Sequence, residues 1–237
     1  MTLRRIPWEH WFGGAGLALL LIGSYIGLFV APPERYMGEV QRIMYVHLPC
    51  AWVSMVCFTA AFASAIGSLW TGGKKWDGAL VGAIEAGVVL NVLLLIQGIV
   101  WGRATWWEGT DKWWTWDVRL TTSLLMCLLF AGVLALRAFV EDRERKASWS
   151  AVATIVAYVD VPLVYFCVRW MRSLHQPQSS PETVSSLMVT PLRINSFAVL
   201  FIAIWFIARR ARIELMRRQM DEVPLPRRLT PQESAGG

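Results

Sequence analysis

Six tryptophans lie within seventeen residues of this chain, between Trp101 and Asp117. The whole chain has fourteen, so nearly half of them fall in one short stretch. Tryptophan combines a large apolar face with a single N–H donor, which suits a surface that is apolar on one side and wet on the other. The cluster therefore indicates a platform for a flat ligand at a boundary with water. Its members are Trp101, Trp106, Trp107, Trp113, Trp114 and Trp116.

Two of the three histidines in the chain flank these tryptophans. His47 is followed closely by Pro49, and proline is typical of the first turn of a helix. His175 precedes Gln176 and Pro177, and the proline predicts that a helix ends near His175. Neutral imidazole binds zinc, copper, nickel and haem iron. Two histidines are too few for a zinc site, whereas they fit the two faces of a haem.

Charged side chains in the same region complete the candidate site. Arg103, Arg119 and Arg172 are candidate partners for haem propionates, because guanidinium binds carboxylates bidentately. We expect Asp117 to fix Arg119 or a tryptophan N–H by hydrogen bonding, since it would repel propionates. Alternative interpretations without a ligand stay open. Asp117 would then be a solvated loop carboxylate, and the histidines would have structural roles. The tryptophans would form an anchor at the membrane interface.

Long apolar helices must position these residues, because the chain is 55% hydrophobic and only 17% charged, with a mean hydropathy of +0.43. A membrane crossing needs about 20 mostly apolar residues. The apolar runs do not alternate with polar residues, which excludes a barrel. The sequence predicts an all-α polytopic integral membrane protein with six transmembrane helices, at about residues 11–31, 46–70, 79–101, 120–140, 151–170 and 191–208.

The charge distribution predicts the orientation of these spans. Six spans place both termini on one face, and fifteen of the 23 lysines and arginines fall on that face. The positive-inside rule makes it cytoplasmic. Residues 101–119, here called the tryptophan segment, then share the outer face with His47 and His175.

The predicted organisation is a membrane domain over residues 1–210 and a basic cytoplasmic tail over residues 211–237. The chain has a net charge of +6, and the tail holds five arginines and four acidic residues. We expect this tail to lie near lipid headgroups and to be partly disordered. Nucleic acid is not an expected partner, because the basic residues form no recognisable binding module. No phosphate-binding loop is present, so any ATP-driven step must come from a partner.

The remaining polar features lie inside the predicted spans. Asp160 is placed mid-span, two residues before Pro162, where an ionisable group is costly. We expect a structural role at a kink, with Glu85, Asn91 and Gln97 as possible partners. The four cysteines form no C-x-x-C motif, which indicates neither a redox pair nor covalent haem attachment.

The pattern Trp101-Gly-x-x-x-Trp-Trp, followed by Trp113-Trp-x-Trp-Asp117 and Arg119-Leu-Thr, resembles the WWD signature of haem-handling proteins of cytochrome c biogenesis. Six spans, a short chain and the contexts of both histidines most resemble the heme exporter protein C family, over the chain to about Ala208. The resemblance implies non-covalent haem b between axial His47 and His175. It also implies a platform that comprises Trp106, Trp107, Trp113, Trp114, Trp116 and Asp117.

The same resemblance implies a location and partners. Haem would be held at the periplasmic face of a bacterial inner membrane and presented to a periplasmic haem chaperone. A small one-span accessory membrane protein would assist, and an ABC transporter ATP-binding subunit with its membrane subunit would drive release of the loaded chaperone. The chain is expected not to be an enzyme. Two alternatives stay open: a b-type membrane cytochrome subunit for electron transfer, or a structural membrane subunit of an ABC-type complex.

Overall fold

The computed structural model describes residues 7–107, 109–175 and 185–222, and these residues form a bundle of helices. Six helical stretches are long and apolar enough to cross a membrane, and the fifth is formed by two consecutive helices. This confirms the predicted all-α class with six spans. The α-helices are α1 Glu9–Tyr25, α2 Met44–Thr71, α3 Lys74–Thr105, α4 Val118–Phe139, α5 Arg143–Tyr158, α6 Asp160–Trp170 and α7 Ser186–Glu222.

Short local signals set the helix ends. Gly72 ends α2 with a positive φ of 62°, which glycine adopts without strain, and the chain turns at once into α3. The side chains of Asp117 and Asp142 each accept a backbone N–H in the first turn of the helix that follows. Aspartate is among the preferred residues at this position. These caps fix where α4 and α5 begin.

Helix α7 packs against α1, α2 and α3, while α4 packs against α3, α5 and α6. At the centre, the rings of Phe58 and Phe130 stack with their centroids 3.8 Å apart. A side-chain carbon at Gly82 would lie 3.0 Å from the carbonyl oxygen of Ile207, so glycine allows α3 and α7 to approach closely. The cysteines are buried and unpaired, as predicted: Cys50, Cys57, Cys127 and Cys167.

The fifth span differs from its prediction at residues 151–170. It begins at Arg143 and is interrupted at Val159, between α5 and α6. Pro162 has no N–H to offer the carbonyl one turn earlier, at Tyr158, and its ring crowds that carbonyl. The break therefore lies where the proline predicts a kink. The first turns of α5 are charged, so the helix begins before the apolar residues from which the span was predicted.

The last helix also differs from its prediction. It was expected at residues 191–208 with a separate tail from residue 211, but α7 continues to Glu222. Its basic continuation pairs with α3, because Arg210 binds Glu85 and Arg218 binds Asp77. Hydropathy detects only the apolar part of α7, whereas the rest of the helix is stabilised by ion pairs with α3. The rest of the predicted tail, residues 223–237, lies outside the described residues, as do Gln176 and Pro177.

Candidate functional site

The candidate residues meet at one end of the bundle because consecutive helices run in opposite directions. His47 lies in the first turns of α2, and Trp101 lies in the last turns of α3. Asp117 caps the start of α4, and His175 follows the end of α6. The other ends of these helices, near the turn after Thr71, lie at the opposite end of the bundle.

His47 is held against α3. Its ring is half-buried and meets the ring of Trp101 edge to face, with centroids 5.3 Å apart at 82°. A side-chain carbon on Gly98 would lie 3.2 Å from Cε1 of His47, so the α3 backbone passes close to the imidazole. The small residue at position 98 therefore leaves room for the histidine ring.

The turn that carries His47 is tied to α7. The sequence placed Pro49 in the first helical turn, but α2 begins at Met44, so Pro49 lies inside the helix. A proline there leaves the carbonyl of Tyr45 without its usual N–H donor. The side-chain amide of Asn195 donates to that carbonyl at 2.9 Å. An interhelical hydrogen bond thus replaces the missing helical one, two residues from His47.

His175 is held by Asp117. Its Nδ1 atom lies 3.1 Å from Oδ1 of Asp117. The same carboxylate accepts the backbone N–H of Leu174 at 2.7 Å and the hydroxyl of Ser173 at 3.0 Å. It also accepts the backbone N–H of Arg119 at 2.9 Å, which starts α4. One buried carboxylate therefore joins the start of α4 to the segment that carries the histidine.

The charges of this pair follow from its surroundings. Burial disfavours the ionised carboxylate, but the hydrogen bonds from Leu174, Ser173 and Arg119 outweigh it and hold the pKa of Asp117 below its ordinary value. Burial also lowers the pKa of His175, and Asp117 offsets only part of that change. At neutral pH an ionised Asp117 faces a neutral imidazole. Nδ1–H then donates to the carboxylate, and the lone pair of Nε2 is left available to a metal.

The structure brings the two histidines into one electrostatic group. His47 and His175 lie near enough that a positive charge on His175 would disfavour protonation of His47, and the guanidinium of Arg119 acts on both imidazoles in the same direction. His175 also meets a tryptophan edge to face, since its ring centroid lies 4.9 Å from that of Trp106. Each histidine ring therefore packs against a different tryptophan: His47 against Trp101, and His175 against Trp106.

The rest of the tryptophan segment forms an outer layer. Arg103 donates to the backbone carbonyl of Trp107 at 2.7 Å, and its guanidinium lies 5.5 Å from the ring of Trp113. The rings of Trp114 and Trp116 meet edge to face at 5.8 Å. Trp113 and Trp116 are 59% and 76% exposed, whereas the other four tryptophans are half-buried. The layer thus presents two rings outward.

The site contains polar nitrogens that are buried without hydrogen-bond partners. Among the described residues they include Nδ1 of His47 and Nε1 of Trp101, together with Nε of Arg103 and Nε of Arg119. Buried polar atoms are normally paired, so these four atoms could bind polar groups of a ligand. Three of them are donors, which suits an anionic ligand.

The donor set fits a haem better than a bare metal ion. Within the described ranges no group of three or more His, Cys, Asp or Glu side chains could hold a metal ion. A haem brings its own four equatorial nitrogens and needs only two axial ligands. The carboxylates of the ring would also meet the unpaired N–H groups. The residues present therefore fit this group.

Two predicted residues lie apart from this arrangement. Arg172 is exposed and is not part of the Asp117 network. Asp160 is buried at the start of α6, about 15 Å below the end of that helix at the helical rise of 1.5 Å per residue. Both carboxylate oxygens of Asp160 lack partners within the described part of the chain. Its expected partner Glu85 binds Arg210 instead.

Sequence reasoning missed the residues that support the two candidate histidines. Ser173 and Leu174 anchor Asp117, and Asn195 replaces the helical bond at Tyr45. A signal existed for Asp117, because aspartate before the apolar run of α4 is a typical N-cap. Nothing in the sequence connects position 195 with position 45.

Comparison with known proteins gives a consistent result. The family model described as heme exporter protein C matches residues 3–225. Heme exporter protein C of Bradyrhizobium diazoefficiens is 33% identical over 95% of this chain and 84% of its own length. The proteins of the same name from Haemophilus influenzae and Escherichia coli K12 are 34% and 30% identical. They are matched over 85% and 81% of this chain, and over 82% and 78% of their own lengths. This multi-pass helical chain therefore belongs to the heme exporter protein C family of cytochrome c maturation.

Proposed function

We propose that this chain binds haem b non-covalently at the outer end of the bundle, with His47 and His175 as axial ligands. The observation that carries the proposal is the convergence of two imidazoles from distant helices, each packed on a tryptophan. The unpaired buried nitrogens around them support the same conclusion. The excess of basic residues at the other end supports a periplasmic location for the site.

The chain's own part is to hold and orient the ligands. Asp117 fixes the tautomer of His175, so that Nε2 faces the ligand position. The bond from Asn195 to Tyr45 steadies the helical turn that carries His47. When bound, the haem would supply an iron for the two imidazoles to hold. His47 and His175 would then contribute affinity because both are already ordered.

The tryptophans and arginines define how haem is covered. The half-buried rings of Trp101 and Trp106 exclude water beside the two imidazoles. Arg103 and Arg119 offer N–H donors to propionates. Trp113 and Trp116 form an exposed edge that a partner can reach. We infer that the half-buried side chains hold the haem firmly, while the exposed edge leaves it accessible to a partner.

This accessibility supports a role in delivery rather than catalysis. The relatives are named heme exporter proteins, and we propose that this chain presents haem to a periplasmic haem chaperone. A one-span accessory protein and an ABC transporter with ATP-binding and membrane subunits would complete the system in the inner membrane. Only one histidine pair lies at this site, whereas electron transfer across the membrane needs a second redox centre.

The test uses full-length protein purified from haem-replete cells. Wild type should show the absorption spectrum of a bis-histidine haem, which should be lost in both His47→Ala and His175→Ala. His10→Ala is the matched control, because His10 lies at the opposite end of the bundle. Haem retained in both site variants would disprove the axial assignment. Turnover with quinol by the isolated protein would instead support the electron-transfer alternative.

A further inference from the structure

A cavity lies at the opposite end of the bundle from the two histidines. It has a volume of about 460 Å³ and is enclosed by α3, α4, α5 and α7. That volume is within the range of small-molecule sites. Twenty residues of α3 separate its lining residue Val81 from Trp101, which at the helical rise corresponds to about 30 Å. This equals the thickness of a bilayer core, so the cavity lies at the other membrane interface.

The cavity has both apolar and charged lining residues. The apolar ones, here called the apolar wall, are Val81 of α3 with Leu134 and Ala138 of α4. The other lining residues are six basic and three acidic side chains. The basic ones are Arg137, Arg143, Lys146, Arg210, Arg217 and Arg218, and the acidic ones are Glu85, Glu141 and Glu214.

Buried ion pairs hold the innermost arginines in place. Arg137 binds the carboxylate of Asp77 through two hydrogen bonds, at 2.7 and 3.1 Å, and it donates to Ser150. Arg218 binds the same carboxylate from α7. Buried charges need such partners to be tolerated. The arginines are therefore ordered before any ligand arrives.

The acidic residues do not neutralise the cavity. Glu85 and Glu214 form ion pairs with Arg210, with N–O distances of 2.7 and 3.4 Å. Among the described residues that line the cavity, with Asp77 counted as well, the basic groups exceed the acidic ones by two. Nε of Arg218 is buried without a hydrogen-bond partner among the described residues. A ligand that supplied an anionic acceptor would satisfy both the charge and this donor.

We propose that this cavity binds the phosphate headgroup of an anionic membrane phospholipid. The phosphate lies among Arg218, Lys146 and Arg217, and the acyl chains leave along Leu134 and the apolar wall. Basic pockets between transmembrane helices commonly take such headgroups. The apolar wall favours a lipid over a soluble anion, because a soluble phosphate has nothing to place there.

The experiment measures lipid binding to the full-length protein in neutral detergent. Native mass spectrometry would count bound lipids after addition of phosphatidylglycerol, with phosphatidylcholine as the uncharged comparison. The test variant is Lys146→Gln/Arg217→Gln, which removes two lining charges and leaves the Asp77 pairs intact. The matched control is Lys75→Gln/Arg145→Gln, two exposed residues at the same end of the bundle and outside the cavity. Circular dichroism and size-exclusion profiles would verify folding.

We expect wild type and the control to retain phosphatidylglycerol in preference to phosphatidylcholine. The test variant should bind phosphatidylglycerol at least about tenfold more weakly, given the usual contribution of a basic residue near an anionic surface. Equal retention by wild type and the test variant would overturn the proposal. Displacement of the bound lipid by inorganic phosphate at similar concentration would also overturn it, since the cavity would then be a site for soluble anions.

Discussion

Nδ1 of His175 lies 3.1 Å from Oδ1 of Asp117, although 58 residues separate the two along the chain. The same carboxylate caps α4, so the orientation of the imidazole depends on where that helix starts. Histidines that bind metals usually donate their second N–H in this way. Under the proposed haem binding, the pairing would make Asp117 a positioning residue for His175.

Asp117→Asn is expected to weaken haem binding about 10–100-fold, the usual effect of losing a carboxylate behind a ligating histidine. Asparagine caps helices as well as aspartate does, so α4 should keep its start. Titration of haem into the purified apoprotein, followed by absorbance, measures the change. Asp111→Asn provides the control, because Asp111 is exposed in the same segment. Equal affinities for Asp117→Asn and wild type would contradict the positioning role.

Pro49 and Asn195 should be energetically coupled. Asn195→Ala leaves the carbonyl of Tyr45 unpaired and should cost about 1–3 kcal/mol of stability. Pro49→Ala restores an N–H that can reach this carbonyl, so Asn195→Ala should cost less in that background. Thermal or denaturant unfolding in detergent would give a coupling above about 0.5 kcal/mol.

The control for this cycle is Ser196→Ala, because the Ser196 hydroxyl bonds within its own helix, to Leu192. It should show no coupling to Pro49→Ala. Strict additivity of Pro49→Ala and Asn195→Ala would mean that the bond seen at 2.9 Å does not replace the helical one.

Asp77→Asn should be among the most destabilising single substitutions in the bundle. It leaves Arg137 and Arg218 buried without their carboxylate, and breaking a buried pair costs about 3–5 kcal/mol. Asp142→Asn is the matched control, since its exposed side chain only caps α5 and asparagine caps equally well. Unfolding midpoints in detergent would compare the two. Similar midpoints for both variants would show that the ion pairs contribute little.

The orientation of the chain can be tested with topology reporters. Alkaline phosphatase fused after Thr110 should be active, because we expect the tryptophan segment to face the periplasm. A fluorescent protein fused after Lys146 should fold in the cytoplasm. The opposite pattern would place the histidine site in the cytoplasm and exclude delivery to a periplasmic chaperone.

The sequence predicted well what depends on composition and local spacing. Apolar length marked the six spans. Pro162 indicated the interruption that the structure has at Val159. Each of these signals lies within one contiguous stretch of about 20 residues or fewer, so it can be read without knowledge of the packing.

The sequence could not predict contacts between distant helices. The expected partner of Asp117 was a neighbour, Arg119 or a tryptophan, whereas its side chain also binds the segment that carries His175. The end of α7 was assigned to a tail, because its charges have no visible partners until α3 lies beside them. Long-range pairing of this kind depends on the packing of the whole bundle.

The order of synthesis has a consequence for when haem can be captured. His47 and most of the tryptophans leave the ribosome early, but the segment with His175 emerges only after the fifth span. Under the proposed assignment, a nascent chain would have only one of its two haem ligands until this segment pairs with Asp117, and it would hold haem weakly. Tight capture would therefore await near-complete membrane assembly, so that a half-made protein would not withdraw haem from the cell.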